Sequence, residues 1–123
     1  MLWTGDTALI LASQSASRQA LLRAAHLRFD AIPADLDERG IQEKSRLTDP
    51  SAIAALLAAE KACDVSKRHA GRYTIGADQT LSLNGKIFSK PDGLAGALDH
   101  LTQLSGHTHE LHSAVAIARD GSI

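Results

Sequence analysis

The run Ala8-Leu9-Ile10-Leu11-Ala12, which stops abruptly at Ser13-Gln14-Ser15, constrains the fold more than any other feature of the chain. Five consecutive apolar residues offer no polar side to water, so they read as a short strand covered on both faces, as strands are in α/β sheets. From Ser17 onward, Ala20, Leu21, Leu22, Ala24 and Ala25 give a short amphipathic helix, with Ser15 or Ser17 available as N-cap. A strand end facing a helix start leaves free backbone N–H groups pointing the same way. The hydroxyls of Ser13, Ser15 and Ser17 add donors, and the Arg18 guanidinium can fork onto phosphate oxygens, a combination that suits a polyphosphate. A helix cap beside a solvated arginine accounts for the same residues equally well.

The rest of the chain alternates strand and helix. A second strand is expected over Arg28 to Ile32. Pro33 and the acidic Asp35-Leu36-Asp37-Glu38 then lead into a polar loop reaching Thr48. Asp49-Pro50 opens a helix as cap and first-turn proline, and Ile53, Leu56, Leu57 and Ala58 line its apolar side until a stop near Gly71. Tyr73 to Ala77 reads as a strand. Leu81-Ser82-Leu83 and Lys86-Ile87-Phe88 flank Asn84-Gly85, a strong hairpin signal. Pro91-Asp92 starts a further helix carrying Leu94, Leu98 and Leu101, which Gly106 terminates. From His109 to Arg119 alternation puts Leu111, Ser113, Val115 and Ile117 on one strand face, and Asp120-Gly121 announces a turn. Only Ser122 and Ile123 follow, so the partner strand is expected to be missing and the chain to be cut short. The expected architecture is therefore a single α/β domain with a sheet flanked by helices. A strand edge left open at Val115 to Arg119 invites pairing with a further segment or with a second copy, as in a homodimer.

Composition bears on the partner. The 123 residues are 44% hydrophobic and 22% charged, as in a globular domain, and the net charge of −1 provides no broad basic surface for nucleic acid or an anionic membrane. An anionic partner must be held by a local site. The N-terminus has no basic n-region and no stretch approaches the ~20 apolar residues of a membrane span, so a cytoplasmic protein is expected. Cys63 is the single cysteine, which excludes an intrachain disulfide and a Cys-pair metal site and suits a packing role.

No Gly-x-Gly-x-x-Gly or Gly-x4-Gly-Lys-Ser/Thr run occurs, so a phosphate site would have to be built otherwise. Asp78, after the expected strand Tyr73 to Ala77, would lie at a strand's C-terminal end, where open α/β sheets place ligands. Its carboxylate could hold a divalent cation or act as a general base, a weak one at an ordinary pKa of ~3.9, or simply form a turn. Lys61 and Lys90 could each place a charge on phosphate or be ordinary solvated lysines. Glu38 could help hold Mg²⁺. His107, His109 and His112 invite a zinc reading, but His112 faces away from the other two along a strand, which favours structural or surface roles.

Taken together, Leu9-Ile10-Leu11-Ala12-Ser13-x-Ser15-x-x-Arg18, Pro33-Ala34-Asp35-x-Asp37-Glu38, Glu60-Lys61-Ala62, Ile75-Gly76-Ala77-Asp78, Gly85-Lys86, Lys90-Pro91 and Leu104-Ser105-Gly106-x-x-His109 resemble the Maf family. These are nucleoside triphosphate pyrophosphatases also called septum formation proteins. No single block is specific, but all seven stand in family order and spacing from about Ala8 to Gly121.

The resemblance implies an inosine-triphosphatase-like α/β fold with a cleft between two lobes, and hydrolysis of a nucleoside triphosphate to the monophosphate and pyrophosphate. It implies Asp78 as the catalytic aspartate and Ser13, Ser15 and Arg18 as the phosphate-binding loop. Glu38, Lys61 and Lys90 match the remaining polar active-site residues, and Mg²⁺ or Mn²⁺, held by Glu38 and Asp78, would assist attack of water on the α-phosphorus. Where the family often has two adjacent basic residues, Gln19 follows Arg18 here. Gln79 matches the branch that prefers 7-methyl-GTP, while Ser17, at the other specificity position, matches neither branch's usual residue. Family members continue beyond the equivalent of Ile123, so the second lobe is expected to be incomplete and apolar surface such as Val115 and Ile117 exposed. The alternative to an active enzyme acting on a non-canonical or methylated nucleotide is a catalytically silent, nucleotide-binding or cell-division regulatory remnant.

Overall fold

In the computed structural model, which describes residues 3–123, the opening apolar run becomes β1 (Leu9–Leu11), with all three residues buried. It lies between β2 (Phe29–Ala31) and β3 (Thr74–Leu83), both parallel to it, with Leu9 opposite Phe29 and Ile10 opposite Thr74. β4 (Lys86–Phe88) returns antiparallel along β3 through Asn84 and Gly85, whose φ values of 50° and 84° are those of the hairpin turn their sequence foretells. β5 (Glu110–Ala118) runs antiparallel to β3 from Thr74 opposite Ala118 to Ser82 opposite Glu110. Among the described residues the result is a mixed five-stranded sheet accompanied by four helices, an α/β fold as expected.

A strand has two edges, and the registers decide how those of β3 are used. β5 occupies one edge from Thr74 to Ser82, so β1 and β4 must share the other. β1 pairs only as far as Ile75 and β4 begins only at Leu81. Among the described residues, 76–80 of β3 thus have no strand beside them on that edge, and this window is where the polar residues gather.

The helices follow local rules. Ser15 caps α1 (Ala16–Ala24) by accepting from the Arg18 N–H at 3.3 Å. Asp37 caps α2 (Glu38–Ser45) by accepting from the Gly40 N–H at 3.1 Å. Asp49 caps α3 (Pro50–Lys67), accepting from Ala52 N–H at 2.9 Å. α4 (Gly93–Leu104) follows Pro91-Asp92. α3 is the central helix: Ile53, Ala54, Leu57, Ala58, Ala62 and Val65 are buried on it, and it packs against β3 and β5. Full burial of a side chain such as Ile53 or Val65 contributes ~1.5–3 kcal/mol. No helix of the described residues is long and apolar enough to cross a membrane.

Three expectations change. The polar loop expected up to Thr48 contains α2, whose only aliphatic side chain, Ile41, is too little for a periodic signal; the Asp37 cap and contact with α3 hold it instead. The separate strands expected at Tyr73 to Ala77 and Leu81 to Leu83 are one strand, β3, because β5 pairs with it continuously. Asp78 consequently lies in mid-strand, not at a strand's end, although it is still just past the C-terminal end of β1. The expected apolar exposure is present: Val115 and Ile117 are 69% and 54% exposed on β5.

Candidate active site

The site is assembled by the close approach of α3 to β3. A Cβ built on Gly76 would collide with the Ala58 carbonyl oxygen and lie 2.7 Å from the Ala62 backbone nitrogen. Only glycine lets the helix backbone come this near, and a glycine inside a strand is a known sign of such an approach. Two residues along β3, Asp78 meets α3 at Lys61.

Lys61 is the hub. Its Nζ donates to Asp78 Oδ1 at 3.0 Å and to the Ala77 carbonyl at 3.4 Å, and it lies 2.6 Å from Glu38 Oε1 at the start of α2. The Lys61 and Asp78 side chains are only 14% and 13% exposed, whereas Glu38 is 48% exposed on the solvent side. The ammonium group has three hydrogens and here meets three oxygens, so its donor capacity is filled.

A cleft of about 940 Å³ opens over this trio. Arg18, Glu38, Lys61, Asp78, Gln79 and Lys90 all line it, so most of the residues singled out in the sequence come together from α1, α2, α3, β3 and the segment after β4. The rest of its lining mixes apolar and aromatic side chains, including Ile53, Leu57, Leu81, Ile87 and Phe88, with polar ones such as Arg39, Gln42, Glu43 and His100. An adjoining pocket of about 190 Å³ shares Glu38 and Lys61 and is lined by Ser13. Charged groups in company with apolar and aromatic side chains make a surface on which a ligand with an anionic tail and a flat apolar body can lie.

The serine turn is braced from within. Ser13 Oγ accepts from Ser15 N–H at 3.1 Å, and Ser15 Oγ accepts from Arg18 N–H at 3.3 Å. Two of the backbone donors at the helix start are therefore used internally, but each hydroxyl retains its own hydrogen to donate. Ser17 is exposed on the first turn of α1 and lines neither cavity. The histidines do not form a metal site: His112 Nε2 lies 3.3 Å from Ser82 Oγ and 3.2 Å from Glu110 Oε2.

Among the described residues no three His, Cys, Asp or Glu side chains come together as a ready metal site. Glu38 and Asp78 do, however, direct one oxygen each at a single cation, the Lys61 ammonium. Two hard carboxylate oxygens converging on one point are the donor set a small divalent cation takes from protein when phosphates and waters supply the rest. The residues fit such an ion.

The sequence reading missed two contributors. One is α2, which carries Glu38 into the cleft and adds Arg39 and Gln42 to its lining. The other is Arg72, which donates to the Ala8 carbonyl at 3.1 and 2.9 Å and to Asp30 Oδ2 at 2.6 Å, tying β1 and β2 to the start of β3. No pattern around Arg72 announces this.

A family model described as Maf-like protein matches residues 8–122. A nucleoside triphosphate pyrophosphatase of Nitrobacter hamburgensis is 60% identical over 97% of the chain, and one of Bradyrhizobium diazoefficiens is 56% identical over 99%. A 7-methyl-GTP pyrophosphatase of Mesorhizobium japonicum is 44% identical over 94% of the chain. The chain spans 59–60% of the length of these relatives.

Proposed function

The chain belongs to the Maf family, and from that premise we propose that it hydrolyses a nucleoside triphosphate to the nucleoside monophosphate and pyrophosphate. The observation that carries this reading is the convergence of Glu38, Lys61 and Asp78 at the floor of a cleft that Arg18 and Lys90 also line.

In this reading the triphosphate lies against the serine turn, with Ser13 and Ser15 donating their hydroxyl hydrogens and Arg18 forking onto phosphate oxygens. Lys90 and Lys61 offset the charge that builds on the pyrophosphate leaving group. Asp78, to which Lys61 donates while the cleft is empty, accepts the proton of the water that attacks the α-phosphorus. Glu38 and Asp78 are the residues that would hold Mg²⁺ or Mn²⁺, and the ion would polarise the phosphoryl oxygens. The substrate class we favour is a non-canonical or methylated nucleotide. Gln79, which lines the cleft, and the name of the Mesorhizobium japonicum relative make 7-methyl-GTP the first to test.

The test is pyrophosphate release from 7-methyl-GTP, dTTP, UTP and CTP in the presence of Mg²⁺. The expected result is turnover by the chain and a loss of ~100-fold or more in Asp78→Asn, the usual scale for removing a positioned base. Turnover no greater than that of Asp78→Asn overturns the activity. Nucleotide binding without hydrolysis, weakened by Arg18→Ala, would identify a silent nucleotide-binding protein instead.

A further inference from the structure

We propose that Lys61 is the resident counter-cation of the Glu38 and Asp78 carboxylates, and that it must withdraw before a divalent cation can take both, so that metal and nucleotide phosphate enter the site cooperatively. The inference rests on the pyrophosphatase reading only for the nature of the anion.

The geometry favours the exclusion. Nζ sits 2.6 Å from Glu38 Oε1 and 3.0 Å from Asp78 Oδ1, between the two carboxylates that a divalent cation would share. An ammonium and a divalent cation cannot both occupy one point between two carboxylates, since their contact would be repulsive and poorly screened beside side chains this little exposed. Conversely, without the ammonium the two carboxylates would face each other uncompensated, which explains why a charged lysine stays so covered.

The withdrawal is mechanically easy. α3 is fixed by buried Ile53, Leu57 and Val65, but the ammonium rides on a flexible four-carbon stem and can move while the helix stays. What it lacks in the empty cleft is another anion to move to. A phosphate drawn in by Arg18 and Lys90 provides one, since Lys61 lines the same cleft. Taking the ammonium away from the carboxylates then opens the metal position, and by linkage the metal strengthens phosphate binding by the same factor.

The experiment measures Mn²⁺ binding to the full chain without nucleotide, reading free Mn²⁺ by electron paramagnetic resonance. Lys61→Met, which keeps the stem and removes the charge, is expected to bind Mn²⁺ about tenfold or more tightly than the wild type, the factor one charge-assisted hydrogen bond is worth. Lys61→Arg keeps the charge and stays as weak as the wild type. In the Lys61→Met background, Glu38→Gln removes the gain. A non-hydrolysable triphosphate tightens Mn²⁺ binding more in the wild type than in Lys61→Met. Mn²⁺ binding by Lys61→Met that equals or falls below the wild type overturns the proposal, and Lys61→Gln reads the same quantity if the Met variant does not fold. Because the key measurement contains no nucleotide, tighter Mn²⁺ binding alongside absent pyrophosphate release overturns the hydrolytic reading alone. Unchanged Mn²⁺ binding alongside active hydrolysis overturns this proposal alone.

Discussion

Gly76→Ala tests the contact on which the whole site depends. The added methyl would strike the Ala58 carbonyl oxygen and lie 2.7 Å from Ala62 N and 2.9 Å from Ala62 Cβ. Two of those three atoms belong to the backbone of a helix pinned by buried Ile53, Leu57 and Val65, so no side chain can swing aside. Restoring an ordinary contact of 3.4 Å to Ala62 N requires α3 to retreat by at least 0.7 Å, the difference between 3.4 and 2.7. Overpacking against a rigid partner costs ~3 kcal/mol, while replacing glycine in a strand returns ~0.5–1 kcal/mol, which leaves a net loss of about 2 kcal/mol. Urea unfolding measures this as a lower midpoint at unchanged slope. Gly96→Ala inside α4 is the comparator: its nearest neighbour would be Pro91 Cβ at 3.5 Å, so there the same substitution should stabilise by ~0.5–1 kcal/mol. The retreat of α3 would also shift the base of Lys61 relative to the cleft in which it meets phosphate, so pyrophosphate release should fall under conditions where Gly76→Ala is still folded. A Gly76→Ala chain within ~0.5 kcal/mol of the wild type would refute the claim that backbone proximity builds the site.

Three further outcomes are expected. Arg72→Lys cannot reproduce the fork that reaches the Ala8 carbonyl and Asp30 together, and should lower stability by about 2 kcal/mol in the same urea titration. Thr74 is fully buried and its hydroxyl has no partner among the described residues, so Thr74→Val should raise stability by ~1 kcal/mol, about 4 °C in thermal unfolding. Arg18→Ala should weaken binding of a non-hydrolysable triphosphate about tenfold by calorimetry, the loss of one charge-assisted contact.

The parts of the fold legible in the sequence are those whose signals are local. The apolar run of β1, the Asn84-Gly85 turn and the Asp49-Pro50 start of α3 each state their conformation within a few residues. α2 states nothing of the kind, because a helix with Gly40 in its interior and Ile41 as its only aliphatic residue is held by a cap and by its neighbour. The site residues were legible as types and not as partners. Lys61 and Asp78 are 17 residues apart on different elements, and what joins them is the missing side chain of Gly76, which in one dimension is only a glycine in a strand.

The window on β3 was equally hidden, since it follows from registers that no single segment carries. It exists because β1 and β4 are each three residues long and stop short of each other on one edge. If β1 continued past Leu11, its next residues would pair with positions 76–80 of β3 and fill the space beside Asp78. What ends it is Ser13-Gln14-Ser15. After Ala12 donates to Ile75 at 2.8 Å, Ser13 turns its hydroxyl onto the Ser15 N–H, and the chain leaves the sheet for α1. The residues that furnish hydroxyls for a phosphate are thus also the residues that stop the strand, and stopping it there leaves the edge of β3 open for the cleft.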